Sequence, residues 1–491
     1  MQTNRITEYG PLLGYYPKAS KTWLVVKKDK YEEAQKLFEN TGINITTEGR
    51  KYLGGFVGTK IGAETYVNNL QEKWLEELNV LTEIAKSEPQ SAYAAFTSGF
   101  RHKMTYFMRT IPNLQDVLKP LDKFITEKFI PAITEGHILS SDDRKLLSLP
   151  VRMGGMGIPI FTESCIREYS NSLDTTKALR ENIIAQVKSY HCNKKFEKEI
   201  TAKIISAKQK YHEDILSDLR TRMNKDQIRG NDVAQMKGAS AWLNSLPLKD
   251  EGYRLSKREF FDAIALRYRW MVKRLPTNCA CSQKFNIDHA MQCKTGGYIH
   301  RRHDQLRDLF ADLIDEVSNE VEVEPELQPL SGESLPNGAN RNDEARSDIA
   351  TRGFWQKCEK AFFDVKVFNP FAKSHMNQNL KSVFNSNERQ KKLEYNRRII
   401  QIEHGSFTPL VVSAFGGFGG ETSVFISKLI EKLSEKKGDG RSIVANYVRT
   451  KISFSLVRSQ IACIRGSRGR KRIPVNAQEM NIVTNTSRIL E

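Results

Sequence analysis

Long apolar runs are missing from this chain. Nowhere do about eighteen apolar residues follow one another, which leaves no segment suited to a transmembrane helix. Met1 to Tyr9 is polar and lacks the apolar stretch of a secretory signal. Cysteine is scarce: 7 among 491 residues are too few for a disulfide scaffold, so a reducing compartment is expected. Cys165, Cys192, Cys358 and Cys463 are scattered and read as reduced thiols. No internal repeat or long low-complexity tract is visible, which argues against solenoids and biased linkers. Acidic residues are outnumbered, 58 against 76 basic, and the resulting charge of +18 favours a polyanionic partner, nucleic acid being the commonest. What is present, 39% hydrophobic and 27% charged residues, suits several globular domains.

The pattern along the chain divides it into six segments. Residues 1–62 read as a small α/β piece. It has a strand at Thr22–Val26, a helix at Asp29–Asn40, and short strands at Ile43–Thr46, Tyr52–Leu53 and Phe56–Gly58. Residues 63–160 are helical, with Trp74, Leu75, Leu78, Leu81, Ile84 and Ala85 at helical spacing, punctuated by Pro112, Pro120 and Pro131 and ended by a glycine-rich break at Gly154–Gly157. Residues 161–270 are helical and basic, residues 271–303 hold a cysteine–histidine cluster, and 421–491 form a helical segment with a basic tail. Residues 304–420 change character. An apolar stripe of Leu306, Leu309, Phe310, Leu313, Ile314 and Val317 marks a helix. Strands are expected at 320–328, 345–350 and 360–368, then a charged helix at 388–404 stopped by Gly405, then a strand at 408–415. The order α-β-β-β-α-β is that of a compact α/β domain. The expected fold class is multidomain and α-rich, helical segments leading to the cluster and this α/β domain.

Asp348 and Asp364 stand on consecutive strands of that domain with fifteen residues between them, enough for a hairpin turning at Arg352–Gly353. Asp364 and Lys366 alternate with Val365 and Val367 and so share a face. A carboxylate and an amine on an otherwise apolar strand are costly unless they serve a site. Hydrolysis of a phosphodiester calls for this set: carboxylate oxygens hold a hard cation, Mg2+, that activates water, and a lysine orients or deprotonates it. Asp348 and Asp364 are the expected ligands, and Lys366 the candidate amine. Lys391 and Tyr395 on the following helix are four apart and share a face. Glu316 is a candidate third carboxylate, with Glu320, Glu322 and Glu324 competing.

Cys279, Cys281, His289 and Cys293 fall within fifteen residues and make a complete tetrahedral zinc set, although one residue between the first two cysteines is tight. Four protein ligands leave no open position, so the expected zinc is structural. Arg301, Arg302 and His303 follow and could meet phosphate, or be a solvated helix start.

Asp348, Asp364-Val365-Lys366 and the Lys391/Tyr395 helix resemble the restriction-like endonucleases of the PD-(D/E)xK class. The resemblance implies the same core and magnesium-dependent DNA cleavage. Ser347 stands where a proline often precedes the first aspartate. In the retrotransposon branch of that class the working lysine is often displaced to the next helix, so the resemblance implies Lys391 or the adjacent Lys392 in that role, with Lys366 assisting. The order of knuckle, Arg302-His303-Asp304 and nuclease is similar to site-specific non-LTR retrotransposons. Gly14-Tyr15-Tyr16-Pro17-Lys18, Lys21 and Lys51-Tyr52-Leu53-Gly54 resemble the late palm and primer grip of reverse transcriptases. The resemblance makes 1–62 the end of a palm, 63–160 a thumb, 161–270 a linker, and Lys21 a nucleic-acid-binding residue. It further implies target DNA and element RNA as partners, nicking that primes reverse transcription, and a nuclear location.

Asp142-Asp143 is the one adjacent aspartate pair, and after Ser140-Ser141 it reads as a helix cap. No palm active site is therefore expected, nor polymerase activity of the chain alone; it reads as a truncated open reading frame. The run Arg465-Gly466-Ser467-Arg468-Gly469-Arg470-Lys471-Arg472 suits phosphate binding, nuclear import or a plain tail. The alternative reading is a catalytically dead remnant that binds DNA or RNA through its knuckle and basic segments.

Overall fold

A computed structural model describes residues 8–16, 18–187, 194–331, 335 and 337–468. Gly469–Arg472 of the basic run, Cys192 and Pro17 lie outside the described residues. The chain is α-rich and multidomain, with a Cys3His cluster and a mixed four-stranded sheet in its C-terminal part. Among the described residues no helix is long and apolar enough to cross a membrane.

The chain forms two compact units that do not follow the six expected segments. One unit comprises Met1–Ile84, Ala95–Ala132 and Pro159–His212; the other comprises Ala85–Ala94, Ile133–Ile158 and Glu213–Glu491. The region expected to be a single helical segment, 63–160, is thus shared out between two cores.

In the first unit, β1 (Trp23–Val25) pairs in parallel with β2 (Asn44–Thr46) across α1 (Tyr31–Phe38). A hairpin follows, β3 (Gly49–Tyr52) with β4 (Gly55–Gly58). Its two turn residues, Leu53 and Gly54, are both left-handed (φ 48° and 83°), the geometry that matches strand twist in a two-residue turn. Then come α2 (Lys60–Ala85), α3 (Arg101–Thr110), α4 (Gln115–Phe124) and α5 (Phe161–Ile184). Asp122 of α4 accepts bonds from the Phe161 and Thr162 amides at 2.9 and 2.8 Å, which caps α5 from a neighbouring helix. Pro120 and Pro131 lie within helical segments rather than ending them, and a wide turn at Ile125–Phe129 precedes Pro131 and makes room for its ring.

The second unit contains the capped helix Ser141–Ser148. Ser140 and Asp143 exchange backbone-to-side-chain bonds of 3.0 Å each, so the aspartate pair is cap chemistry. Further on come α6 (Lys257–Tyr268), the cysteine–histidine cluster and α7 (Tyr298–Asp315). The sheet is built from β5 (Asn319–Val323), β6 (Ile349–Arg352), β7 (Lys360–Phe368) and β8 (Ser406–Ser413), in that spatial order. The first two pairings are antiparallel and the last is parallel. A parallel pair needs a crossover, supplied by α8 (Leu380–Lys391) and the helical turns that continue to Glu403. Pro409 is tolerated in β8 because that strand is an edge of the sheet.

Both faces of the sheet are covered. Ala361, Phe363 and Val365 pack with Leu306, Phe310 and Ile314 of α7 and with α9 (Gly420–Lys437) and α10 (Arg441–Arg465) through Phe425, Leu429, Val448 and Ile452. Phe362 packs on the other face with Phe407, Tyr395 and Ile399. Beyond the expected boundary at 420, α9 and α10 add Phe425, Leu429, Val448 and Ile452 to the core of the sheet. β5 is shorter than expected because Glu324 turns left-handed (φ 53°) before Pro325. The crossover helix starts earlier than expected, where the Asn379 side chain accepts from the Lys381 amide at 2.9 Å.

Candidate metal centres

The two aspartates come to the same end of the β6–β7 pair. Ile349 lies opposite Phe363 on the antiparallel β6–β7 pair, and Asp348, the residue before β6, donates its amide to the Phe363 carbonyl at 3.2 Å, next to Asp364 on β7. Alternation places Asp364 on the face of Phe362, beneath the crossover helix, as the sequence pattern implied.

Asp364 is buried. Burial, and then the charge of Asp348, push its carboxyl up to about 6, against the pull of Lys391. Lys391 Nζ lies 3.0 Å from Asp364 Oδ2, but off the line of a hydrogen bond, so this buried oxygen has a charged neighbour and no aligned donor. Asp348 Oδ2 accepts from the Val365 amide at 2.6 Å and lies 3.0 Å from His303 Nε2. Two neighbouring carboxylates, one with an oxygen that lacks an aligned donor, fit a hard divalent cation.

The two amines at this site differ. Burial works against the charge of Lys391, but Asp364, Glu394 and Tyr395 outweigh it and hold its pKa above the ordinary value. Its Nζ lies 5.2 Å from the centre of the Tyr395 ring, one wide helical turn on. Tyr395 is pushed up to about 12, mainly by burial and then by Asp364, and so keeps its proton. Lys366 is lowered by burial and by Lys391, and donates to Gln390 Oε1 at 2.7 Å. Lys392 points elsewhere and pairs with Glu421 at 2.6 Å. Of the two helix lysines left open by the sequence, Lys391 is the one at the carboxylates.

In the second centre, Cys279 and Cys293 sulfurs are 3.8 Å apart, those of Cys281 and Cys293 3.9 Å, and Cys281 Sγ lies 3.4 Å from His289 Nε2. All four ligand atoms lie within 4.8 Å of one another. These sulfur separations are far too long for a disulfide. They match the edge of a tetrahedron with Zn–S bonds of about 2.3 Å. Asn286 caps the short helix carrying His289, and Ser282, left-handed (φ 71°), donates its amide to the Cys279 carbonyl at 2.8 Å and closes a tight turn over the first two cysteines. Cys279, Phe285, Met291, Cys293 and Tyr298 pack on Cys463 and Ile464 of α10.

Three expectations change. Arg302, expected to meet phosphate, is buried, its Nη1 3.5 Å from the Met291 carbonyl. Glu316, a candidate third carboxylate, instead pairs with Lys437 at 2.6 Å, because the end of α7 faces α9. His303, read as a phosphate contact, faces Asp348. Its imidazole was in the sequence but its partner was not, since 45 residues separate them. Arg301 is half-buried with its guanidinium 5.2 Å from the Tyr298 ring, and Lys21 is exposed. Gln390 was missed altogether. Its only signal was its place beside Lys391.

No known protein-family model matches the chain, and no curated protein resembles it significantly.

Proposed function

We propose that the second unit is a divalent-metal-dependent DNA endonuclease within a retrotransposon-derived chain. The observation that carries this reading is the placement of Asp348, whose Oδ2 accepts from the Val365 amide, beside Asp364 on β7, with a buried Asp364 oxygen lacking an aligned donor and Lys391 beside it. The charge of +18 supports a polyanionic substrate. A magnesium ion bound by the two carboxylates would activate water and stabilise charge developing at phosphorus. Lys391, kept protonated, offsets the Asp364 charge and presents a cation to a phosphate oxygen. Lys366, its pKa lowered and its Nζ steered by Gln390, is the amine suited to take a proton from the attacking water. The Cys3His cluster, with no open ligand position, holds zinc for structure alone.

In this reading the chain nicks target DNA in the nucleus, the freed 3′ hydroxyl primes copying of an element RNA, and the polymerase site is not in this chain. The test is relaxation of supercoiled plasmid with Mg2+ against EDTA. Asp348→Ala and Asp364→Ala abolish nicking while DNA binding persists. Either variant nicking at the wild-type rate rejects the assignment. Binding by the wild-type chain with no metal-dependent nicking selects the alternative, a dead nuclease that serves as a zinc-containing nucleic-acid-binding protein.

A further inference from the structure

We infer that His303 is a positioning residue for the carboxylate pair, held in place by a helix whose first turn belongs to the Cys3His cluster. The inference rests on the reading of Asp348 and Asp364 as cation ligands. Helix α7 begins at Tyr298, five residues after Cys293. Tyr298 packs among Cys279, Phe285, Cys293 and Ile464, whereas Leu306, Phe310, Leu313 and Ile314 of the same helix lie in the core of the sheet. One helix is thus anchored in two cores, and His303 stands between the anchors.

Both ring nitrogens are engaged. Nε2 lies 3.0 Å from Asp348 Oδ2 and 3.0 Å from the Val365 carbonyl, and Nδ1 lies 3.2 Å from Asp304 Oδ1. Both neighbours of Nε2 are acceptors, so Nε2 is a donor toward Asp348 and the Val365 carbonyl. Asp304 in turn lies 3.6 Å from Arg307, which is also tied to Asp308 at 2.8 Å. The consequence falls on Asp348. A carboxylate turns freely about its last bond unless donors fix it. The Val365 amide and His303 both converge on Oδ2, which fixes the plane of the group and leaves Oδ1 to the cation shared with Asp364. Removing such an outer donor commonly costs a metal site about 10- to 100-fold in affinity or activity.

The experiment uses the full chain, zinc-loaded, with Mn2+ as a spin probe titrated by water-proton relaxation. Asp364→Asn, which removes the shared site, defines the background. His303→Leu weakens Mn2+ binding by about 10- to 100-fold and raises the Mg2+ needed for half-maximal nicking by a similar factor, with zinc content unchanged. His303→Gln keeps an N–H able to reach Asp348 and recovers most of the loss, which a space-filling role would not give. Mn2+ affinity and Mg2+ dependence of His303→Leu equal to wild type overturn the inference. Should that variant fail to fold, His303→Asn, polar but too short to reach Asp348, carries the same comparison. A wild-type chain that binds no Mn2+ above the Asp364→Asn background overturns the nuclease reading and this inference together. A wild type that binds and nicks, beside an unaffected His303→Leu, overturns the inference alone.

Discussion

Asp364 sits where its own ionisation is opposed. Its folded pKa is raised from the ordinary 3.8 to about 6, by burial and by Asp348. Between those values the folded chain binds more protons than the unfolded one, so stability of the metal-free protein falls as pH rises through that window. Asp364→Asn mimics the protonated state. It should therefore melt like wild type near pH 4 in EDTA, and at a higher temperature than wild type above about pH 6. Mg2+ should close or reverse the gap, because only the wild type gains a ligand. Thermal denaturation across pH, with and without Mg2+, reads this directly. Equal melting at pH 8 in EDTA contradicts a strained carboxylate pair. The neighbouring lysines make a second test. Lys391→Ala should cut nicking by about 100-fold or more, while Lys392→Ala, whose partner is Glu421, should leave it near the wild-type rate. Strand alternation made the Asp364 face legible in the sequence. It could not choose between adjacent helix lysines, because Glu421, the residue that claims one of them, arrives from the start of another helix.

Elements were more legible than their ends. Period and turn residues gave the α-β-β-β-α-β order and the turn at Gly353 (φ 82°). The stop of the crossover helix was assigned to Gly405, yet His404 carries the left-handed conformation (φ 52°). Gly405 matters for a different reason, which only packing reveals. A Cβ there would stand 2.4 Å from the Lys360 carbonyl and 3.0 Å from the Phe362 ring. Backbone cannot yield as a flexible side chain would, so Gly405→Ala should push β8 away from β7 at the start of their parallel pairing. The expected cost is about 1–3 kcal/mol, the usual range for overpacking, measured as a shift in urea midpoint with unchanged slope. Gly353→Ala, where nothing lies within 4 Å, meets only the left-handed backbone and should cost less.

At the scale of the molecule, the cluster and the sheet share their scaffolding. Helix α10 places Cys463 and Ile464 in the core of the cluster and Val444, Val448, Ile452 and Leu456 in the core of the sheet. Local sequence showed the four ligands but not this closure, because the last helix lies far along the chain from Cys293. Buried Arg302 adds an electrostatic reason for a metal. Among the described residues no carboxylate pairs with it, and its hydrogen bonds go to Met291, between two of the ligands. Zinc held by three thiolates and a neutral imidazole would carry a net charge of −1 and would supply an anionic partner. Zinc sites of this kind contribute folding energy outright. Stripping zinc with a chelator should therefore deprotect amides of α7 and α10 in hydrogen exchange, not merely those of residues 279–293. Helices α3 and α5, which pack on each other within the first unit, should keep their protection. If exchange in α10 is unchanged while the ligand segment opens, the cluster is an independent appendage and the shared scaffold carries no energy between the two centres.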